Sequence, residues 1–205
     1  MSASISTLKD NFNDNSLSAL WTDESTGGGV VAETGGRLTF TPATDAENYP
    51  TVYSATTYDL TGAAFVLRLV SYLNAGTNRE AVFLLFPSAS NRLYWYISSS
   101  GNIQCRKTIS GVDSSEDYST TYVAATHAWL RIRELDGDIL WDSSTNGITW
   151  TNRALLAAPF AITAVTVAVW CGVYTAIADP GTMIVDNVGI PNSLGHRRMA
   201  ALGVA

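Results

Sequence analysis

The sequence predicts an all-β chain folded as a two-sheet antiparallel sandwich, and three observations carry that prediction. Short runs rich in β-branched and aromatic residues, such as RLTFT (37–41), AFVLRLVSYL (64–73) and RLYWYIS (92–98), are cut apart by Gly, Ser and Asn. Almost no stretch sustains an apolar period of 3.6, so helices are not expected. Several runs alternate apolar and polar positions, the period-2 signature of a strand with one buried face. With 205 residues and 46% hydrophobic content, the chain can bury one large core. The number and spacing of the strand-like runs then imply two stacked sheets. One sandwich domain is expected over 1–190, followed by a tail over 191–205.

Taken in order, the chain opens with MSASISTLKDNF, which has neither a basic n-region nor an apolar h-region, so no Sec signal is expected. The glycine-rich ESTGGGVVAETGG (24–36) lacks the Lys-Ser/Thr of a phosphate-binding loop and reads as a flexible loop leading into the strand at 37–41. Strands are expected next at 50–55, 64–73, 80–86, 92–98 and 102–108. DSSED (113–117) reads as an acidic, solvated loop. Further strands are expected at 128–134, 138–142, 148–151, 160–174 and 182–190. The apolar run at 157–178 is long enough to span a bilayer. Its Thr163, Thr166, Gly172 and Thr175, and its lack of basic flanks, favour a buried strand, and no membrane insertion is expected. The tail PNSLGHRRMAALGVA, with Arg197 and Arg198, is a disordered end or a short helix that could dock on a neighbour.

A formal charge of −6, with Lys9 and Lys107 the only lysines, argues against nucleic acid as a partner, because phosphate neutralisation needs clustered cations. Cys105 and Cys171 are either a disulfide or two reduced, buried thiols, and no pair of residues has metal-ligand spacing. His127 and His196 lack a nucleophile motif and read as buried or surface histidines. No catalytic residue is assigned.

WLRIRELDGDILWDSSTNGITW (129–150) sets Glu134, Asp136 and Asp138 on alternate positions. On one strand, that spacing aims three carboxylates to one side, as hydrolysis of glycosides uses them. Asp136-Gly137, however, is a strong hairpin signal between two strand-like runs, and Asn146-Gly147 is another. The stretch therefore reads as three antiparallel strands and two turns.

The alternation also sorts side chains by face. Leu93, Trp95 and Ile97 oppose Arg92, Tyr94 and Tyr96; Phe65, Leu67 and Leu69 oppose Arg68 and Tyr72; Leu130 and Ile132 oppose Trp129, Arg131 and Arg133. The Tyr, Trp and Arg faces are either ordinary solvated sheet or a concave surface whose aromatic planes and guanidinium forks suit sugars. On the second reading, the carbohydrate contacts are Arg68, Tyr94, Tyr96, Trp129, Arg131 and Arg133.

Three segments spanning nearly the whole chain resemble the concanavalin A-like lectin/glucanase sandwiches, particularly their LamG-like and carbohydrate-binding members: DNFNDNSLSALW (10–21) followed by GGRLTF, the double hairpin above, and MIVDNVGI (183–190). The resemblance implies a jelly roll. It also implies a structural calcium where the first and last strands meet, on Asp186 with Asp10 and the Gly36 region; alternatively, Asp186 and Asn187 hydrogen-bond the incoming chain. Glycan hydrolases of that group carry an acidic strand motif such as E-x-D-x-x-E. This sequence has none, since its one comparable spacing is broken by Asp136-Gly137, and no enzyme activity is expected. The chain further resembles modules that bacteriophages place on tails, fibres or capsids. A non-catalytic virion structural or adhesion protein is expected, made in the host cytoplasm and contacting copies of itself, other virion proteins and host surface polysaccharide. The alternatives are a decoration or tail component without glycan binding, and a glycoside hydrolase whose site the sequence does not announce.

Overall fold

A computed structural model describes residues 1–74, 76 and 78–190; the expected tail at 191–205, with His196, Arg197 and Arg198, lies outside the described residues. The strands are β1 (Ala3–Ser4), β2 (Trp21–Asp23), β3 (Val30–Thr34), β4 (Arg37–Thr41), β5 (Thr51–Ser54), β6 (Tyr58–Asp59), β7 (Ala64–Ser71) and β8 (Arg79–Ser88). They continue as β9 (Asn91–Ile97), β10 (Asn102–Ile109), β11 (Val112–Thr121), β12 (Trp129–Leu135), β13 (Asp138–Ser144), β14 (Thr151–Ala157), β15 (Thr166–Val173) and β16 (Met183–Val188). One seven-stranded antiparallel sheet runs β11-β10-β9-β8-β15-β5-β2, and a second runs β14-β13-β12-β7-β16-β4-β3. A short parallel pair, β1 with β6, lies beside them. The predicted two-sheet sandwich is the fold.

Alternation builds the core. Phe83 and Leu85 of β8, Trp95 and Ile97 of β9, and Val167 and Val169 of β15 are buried in one cluster with Leu67 and Leu69 of β7, Ile132 of β12 and Trp141 of β13. Two indoles tie the sheets together reciprocally. Trp95 of the first sheet donates Nε1–H to the Arg131 carbonyl of the second at 3.1 Å, and Trp141 of the second donates to the Tyr94 carbonyl of the first at 3.2 Å. Each ring thus fills the core while its one polar atom is satisfied across the sandwich. Cys105 and Cys171 are both buried, with no disulfide between them. At one edge, β11 and β14 meet: Arg153 lies over the Tyr118 ring at 5.2 Å, and Tyr118 hydrogen-bonds Nε2 of buried His127 at 2.9 Å. The Val123 N–H donates to Nδ1 of that histidine, so its ring proton sits on Nε2. Burial first, then the Arg153 charge, hold His127 below the usual histidine range.

The opening hairpin signal holds. Leu135 pairs with Asp138, and Asp136 and Gly137 have φ of 53° and 89°, the positive values a two-residue I′ turn needs. Glu134 is part of this turn rather than a cleft: its Oε1 accepts the Gly137 N–H at 2.6 Å and its Oε2 the Gly62 N–H. Those donors hold its carboxyl below the ordinary carboxylate range. A folded-state pKa below the unfolded value gives stability that is present above about pH 4.3 and lost as pH falls through the folded value. Glu134→Gln is therefore expected to lower stability at neutral pH and to flatten the acid limb of the stability curve, read by urea titration at a series of pH values.

Several elements differ from expectation. The glycine-rich segment holds β3, joined to β4 by a Gly35-Gly36 turn at φ 59° and 71°. The rest of that segment is pinned rather than loose, with Thr26 and Tyr49 exchanging backbone hydrogen bonds. DSSED lies in β11, where polar residues suit an edge strand. The strand expected at 148–151 begins at Thr151, because Asn146 and Ser144 side chains cap a longer turn. The strand expected over 160–174 is confined to β15. Tyr72 lies past the end of β7 and packs on the core, with its ring against Tyr122, instead of facing out with Arg68. Among the described residues, no helix is long and apolar enough to cross a membrane.

Candidate functional site

The six side chains expected to form one carbohydrate-binding face lie on two opposite faces of the sandwich. Arg68, Trp129, Arg131 and Arg133 belong to β7 and β12 in the second sheet; Tyr94 and Tyr96 belong to β9 in the first. The second-sheet group is occupied internally. Arg131 and Arg133 both close on the fully buried Asp142 of β13, at 2.7 Å and 2.8 Å, and Asn152 donates to the carboxylate's other oxygen at 3.2 Å. The Arg131 guanidinium also stacks on Trp150, 4.2 Å from the ring centroid. Arg68 pairs with Asp186 at 2.7 Å and lies 5.9 Å from the Trp129 ring. These contacts pair these three arginines with carboxylates of the same sheet.

The other outer face carries a trough. Two adjoining cavities, of about 230 and 460 Å³, share Glu80, Leu84, Arg92 and Trp170 in their linings. Outward residues of β8 and β15 make the floor, with Val82, Leu84 and Ala168 forming a small buried cluster separate from the main core. Tyr94, Tyr96 and Arg106 stand over one half, and Tyr49, Tyr53, Phe86 and Trp170 over the other. The rings brace one another edge to face: Tyr49 meets Trp170 at 5.6 Å, Tyr53 meets Phe86 at 5.6 Å and Tyr94 meets Tyr96 at 6.5 Å. Gly172 makes room for this wall. A Cβ there would stand 2.1 Å from a Tyr49 ring carbon. Gly172→Ala is therefore expected to push Tyr49 off Trp170 and weaken any ligand of the trough, with little change in m-value, read by ligand titration beside urea unfolding.

Glu80 is the buried carboxylate of this surface, and it pairs across the ladder with Gly172. The phenols of Tyr96 and Tyr174 lie close enough to it, and to each other, to feel its charge. Burial and that carboxylate push Tyr96 up to about 12 and Tyr174 higher, so both phenols remain protonated donors. At the far end of the same cavity, Asp113 accepts hydrogen bonds from Tyr94, at 3.2 Å, and from Thr108. Asp113 faces Thr108, which faces Arg92 beside the Leu93–Leu85 pair. That row is five to six residues along β8 from Glu80, and the rows of Tyr94 and Tyr96, whose ring centroids are 6.5 Å apart, lie between. Reading the sequence alone missed Glu80, Arg106, Asp113 and Trp170. The available signal was a carboxylate at the head of EAVFLLF, where Glu80 alternates with Val82, Leu84 and Phe86.

The residues expected to hold calcium do not fit one. The Asp10 Oδ1 accepts the Phe12 N–H at 2.9 Å, and its Oδ2 accepts the Ser18 hydroxyl and the Trp21 indole at 2.9 and 3.0 Å. Asp186 is held by Arg68, and Gly36 sits in the β3–β4 turn. First and last segments join through backbone instead, Asp10 and Val188 exchanging hydrogen bonds at 3.0 and 2.9 Å. Among the described residues, no three His, Cys, Asp or Glu side chains gather to hold a metal ion.

No family model and no curated protein matches the sequence. Solved structures do match the fold. A β-glucanase from Bacillus licheniformis superposes with a TM-score of 0.61 at 10% identity, covering 88% of this chain and 95% of its own. The sandwich is a concanavalin A-like jelly roll. The endo-β-1,3(4)-glucanase SCLam, of family GH16, gives 0.64 at 10% identity, with 89% and 88% covered. The Crh5 transglycosylase, solved in complex with NAG, gives 0.66 at 14% identity, with 91% and 84% covered. The expected fold and its concanavalin A-like resemblance therefore stand. The expectation of a non-catalytic virion structural or adhesion protein does not: the solved structures named above are a β-glucanase, an endo-β-1,3(4)-glucanase and a transglycosylase, and none of them is a virion protein.

Proposed function

We propose that this jelly roll is a glycoside hydrolase that lays a polysaccharide along the trough of the first sheet and uses Glu80 as its proton-transferring carboxylate. The observation that carries the reading is Glu80 itself: a buried carboxylate lining an aromatic trough, beside the phenols of Tyr96 and Tyr174. Burying a carboxylate opposes folding unless it is well hydrogen-bonded, and such groups concentrate where chemistry needs them. Ring faces of the kind offered by Trp170 suit the apolar faces of sugars. In the proposed reaction, Glu80 as the acid gives its proton to the glycosidic oxygen while the C–O bond opens. It takes a proton back from the water that closes on the anomeric carbon. Tyr96 and Tyr174 orient the carboxylate through both steps. The neighbours' activities set the first substrates to try, mixed-linkage and β-1,3-glucans. The test is release of new reducing ends from a polysaccharide panel by the purified chain; a panel left intact at high enzyme concentration contradicts the reading.

A further inference from the structure

The trough holds a cation whose role the hydrolytic reading does not use. Arg106, outward on β10 opposite Tyr94, lies with its guanidinium carbon 4.9 Å from the Tyr96 ring centroid and 5.8 Å from that of Tyr94. The two rings fix the plane of the guanidinium. Its Nε is buried and has no hydrogen-bond acceptor among the described residues, although a buried N–H without an acceptor is destabilising. Arg106 forms no ion pair among the described residues, unlike Arg68, Arg131 and Arg133 on the opposite face. Asp113, on the same cavity, accepts from Tyr94 and Thr108 through its Oδ1 and makes no ion pair with Arg106 among the described residues. Arg92 lines the same cavity with its Nε spent on the Ala89 carbonyl at 2.8 Å, which leaves the outer end of its guanidinium for the trough.

We propose, resting on the trough being the glycan site, that it selects an anionic sugar unit, whose carboxylate or sulfate ester seats on Arg106 while the sugar ring lies across the floor toward Trp170. A neutral hydroxyl offers the guanidinium fork one acceptor. A carboxylate or sulfate offers two oxygens at the fork's spacing, and the bond is charge-assisted. The overall charge of −6 repels polyanions in general, so binding of this kind is a property of the trough and not of the surface at large.

The experiment measures binding of the full chain by affinity electrophoresis, in about 0.15 M salt to screen surface attraction. The ligands are polygalacturonate, its carboxyl-reduced neutral form, a sulfated galactan and mixed-linkage β-glucan. At least one anionic polymer is expected to bind about tenfold or more tighter than the neutral ones, the effect of one charge-assisted hydrogen bond pair; which of the two binds tighter identifies the anion. Arg106→Gln is expected to bring the anionic polymer down to the neutral level, and Arg106→Lys to recover part of the gap. Thermal melts are run alongside to show that both variants are folded. Equal binding of anionic and neutral polymers, or a preference unchanged in folded Arg106→Gln, overturns the proposal. Cleavage is not read. A chain that prefers the anionic polymer but never cuts it refutes hydrolysis alone, and one that cuts neutral glucan without any anionic preference refutes only this inference.

Discussion

Glu80→Gln is expected to lower kcat by about 10²- to 10⁴-fold, the usual contribution of a positioned proton-transfer group, while leaving polysaccharide affinity within a few-fold of wild type. Glutamine keeps the size of the side chain and can still meet the hydroxyls of Tyr96 and Tyr174, so the trough is preserved. What it loses is the ability to give and take a proton. A loss confined to kcat marks an interaction made in the transition state, whereas a rise in KM alone would mark a binding group. Tyr96→Phe and Tyr174→Phe are expected to lower kcat as well, each by less than Glu80→Gln. Initial rates and substrate titration for the four proteins give both parameters.

Asp142→Ala is expected to destabilise the fold by about 3 kcal/mol, the lower end of the range for breaking a buried ion pair. Asp142 is fully buried and receives both Arg131 and Arg133, so its removal strands two guanidiniums against the outer face of the second sheet. Their side chains keep 19% and 24% of their exposure, which lets water relieve part of the loss and sets the estimate low in the range. Urea unfolding measures it as a shift in midpoint. Catalysis and binding at the trough should be unchanged at temperatures where the variant is folded, because Asp142 and Glu80 lie in different sheets. A variant that unfolds normally but binds no glycan would move the site to the Arg131 and Arg133 face.

Much of the architecture was legible in the residues. Alternation in RLYWYI and WLRIRE separated inward from outward side chains correctly, and Asp136-Gly137 located its hairpin, because period-2 geometry and positive-φ turns are local properties of a few neighbouring residues. Strand order is not local. Tyr96 and Arg131 share the same kind of outward position, and only the pairing of β9 with β8 and of β12 with β7 puts them on opposite surfaces. β11 was hidden because an edge strand tolerates the polar DSSED that a central strand would not. Glu80 was hidden differently. It heads a strand whose remaining residues are mostly apolar, and its significance comes from Tyr96 and Tyr174, which reach it from two other segments. Searching for an acidic triplet on one strand also pointed away from it, toward Glu134, whose carboxylate is a backbone anchor.

The most direct test is a crystal structure of the Glu80→Gln chain soaked with oligosaccharides of whichever polysaccharide the wild type cleaves. A glycan is expected to lie across β9, β8 and β15, with a sugar ring against Trp170 and the scissile linkage within hydrogen-bonding reach of residue 80. A glycan bound on the outer face of β7 and β12, or in the trough with its scissile linkage far from residue 80, would contradict it.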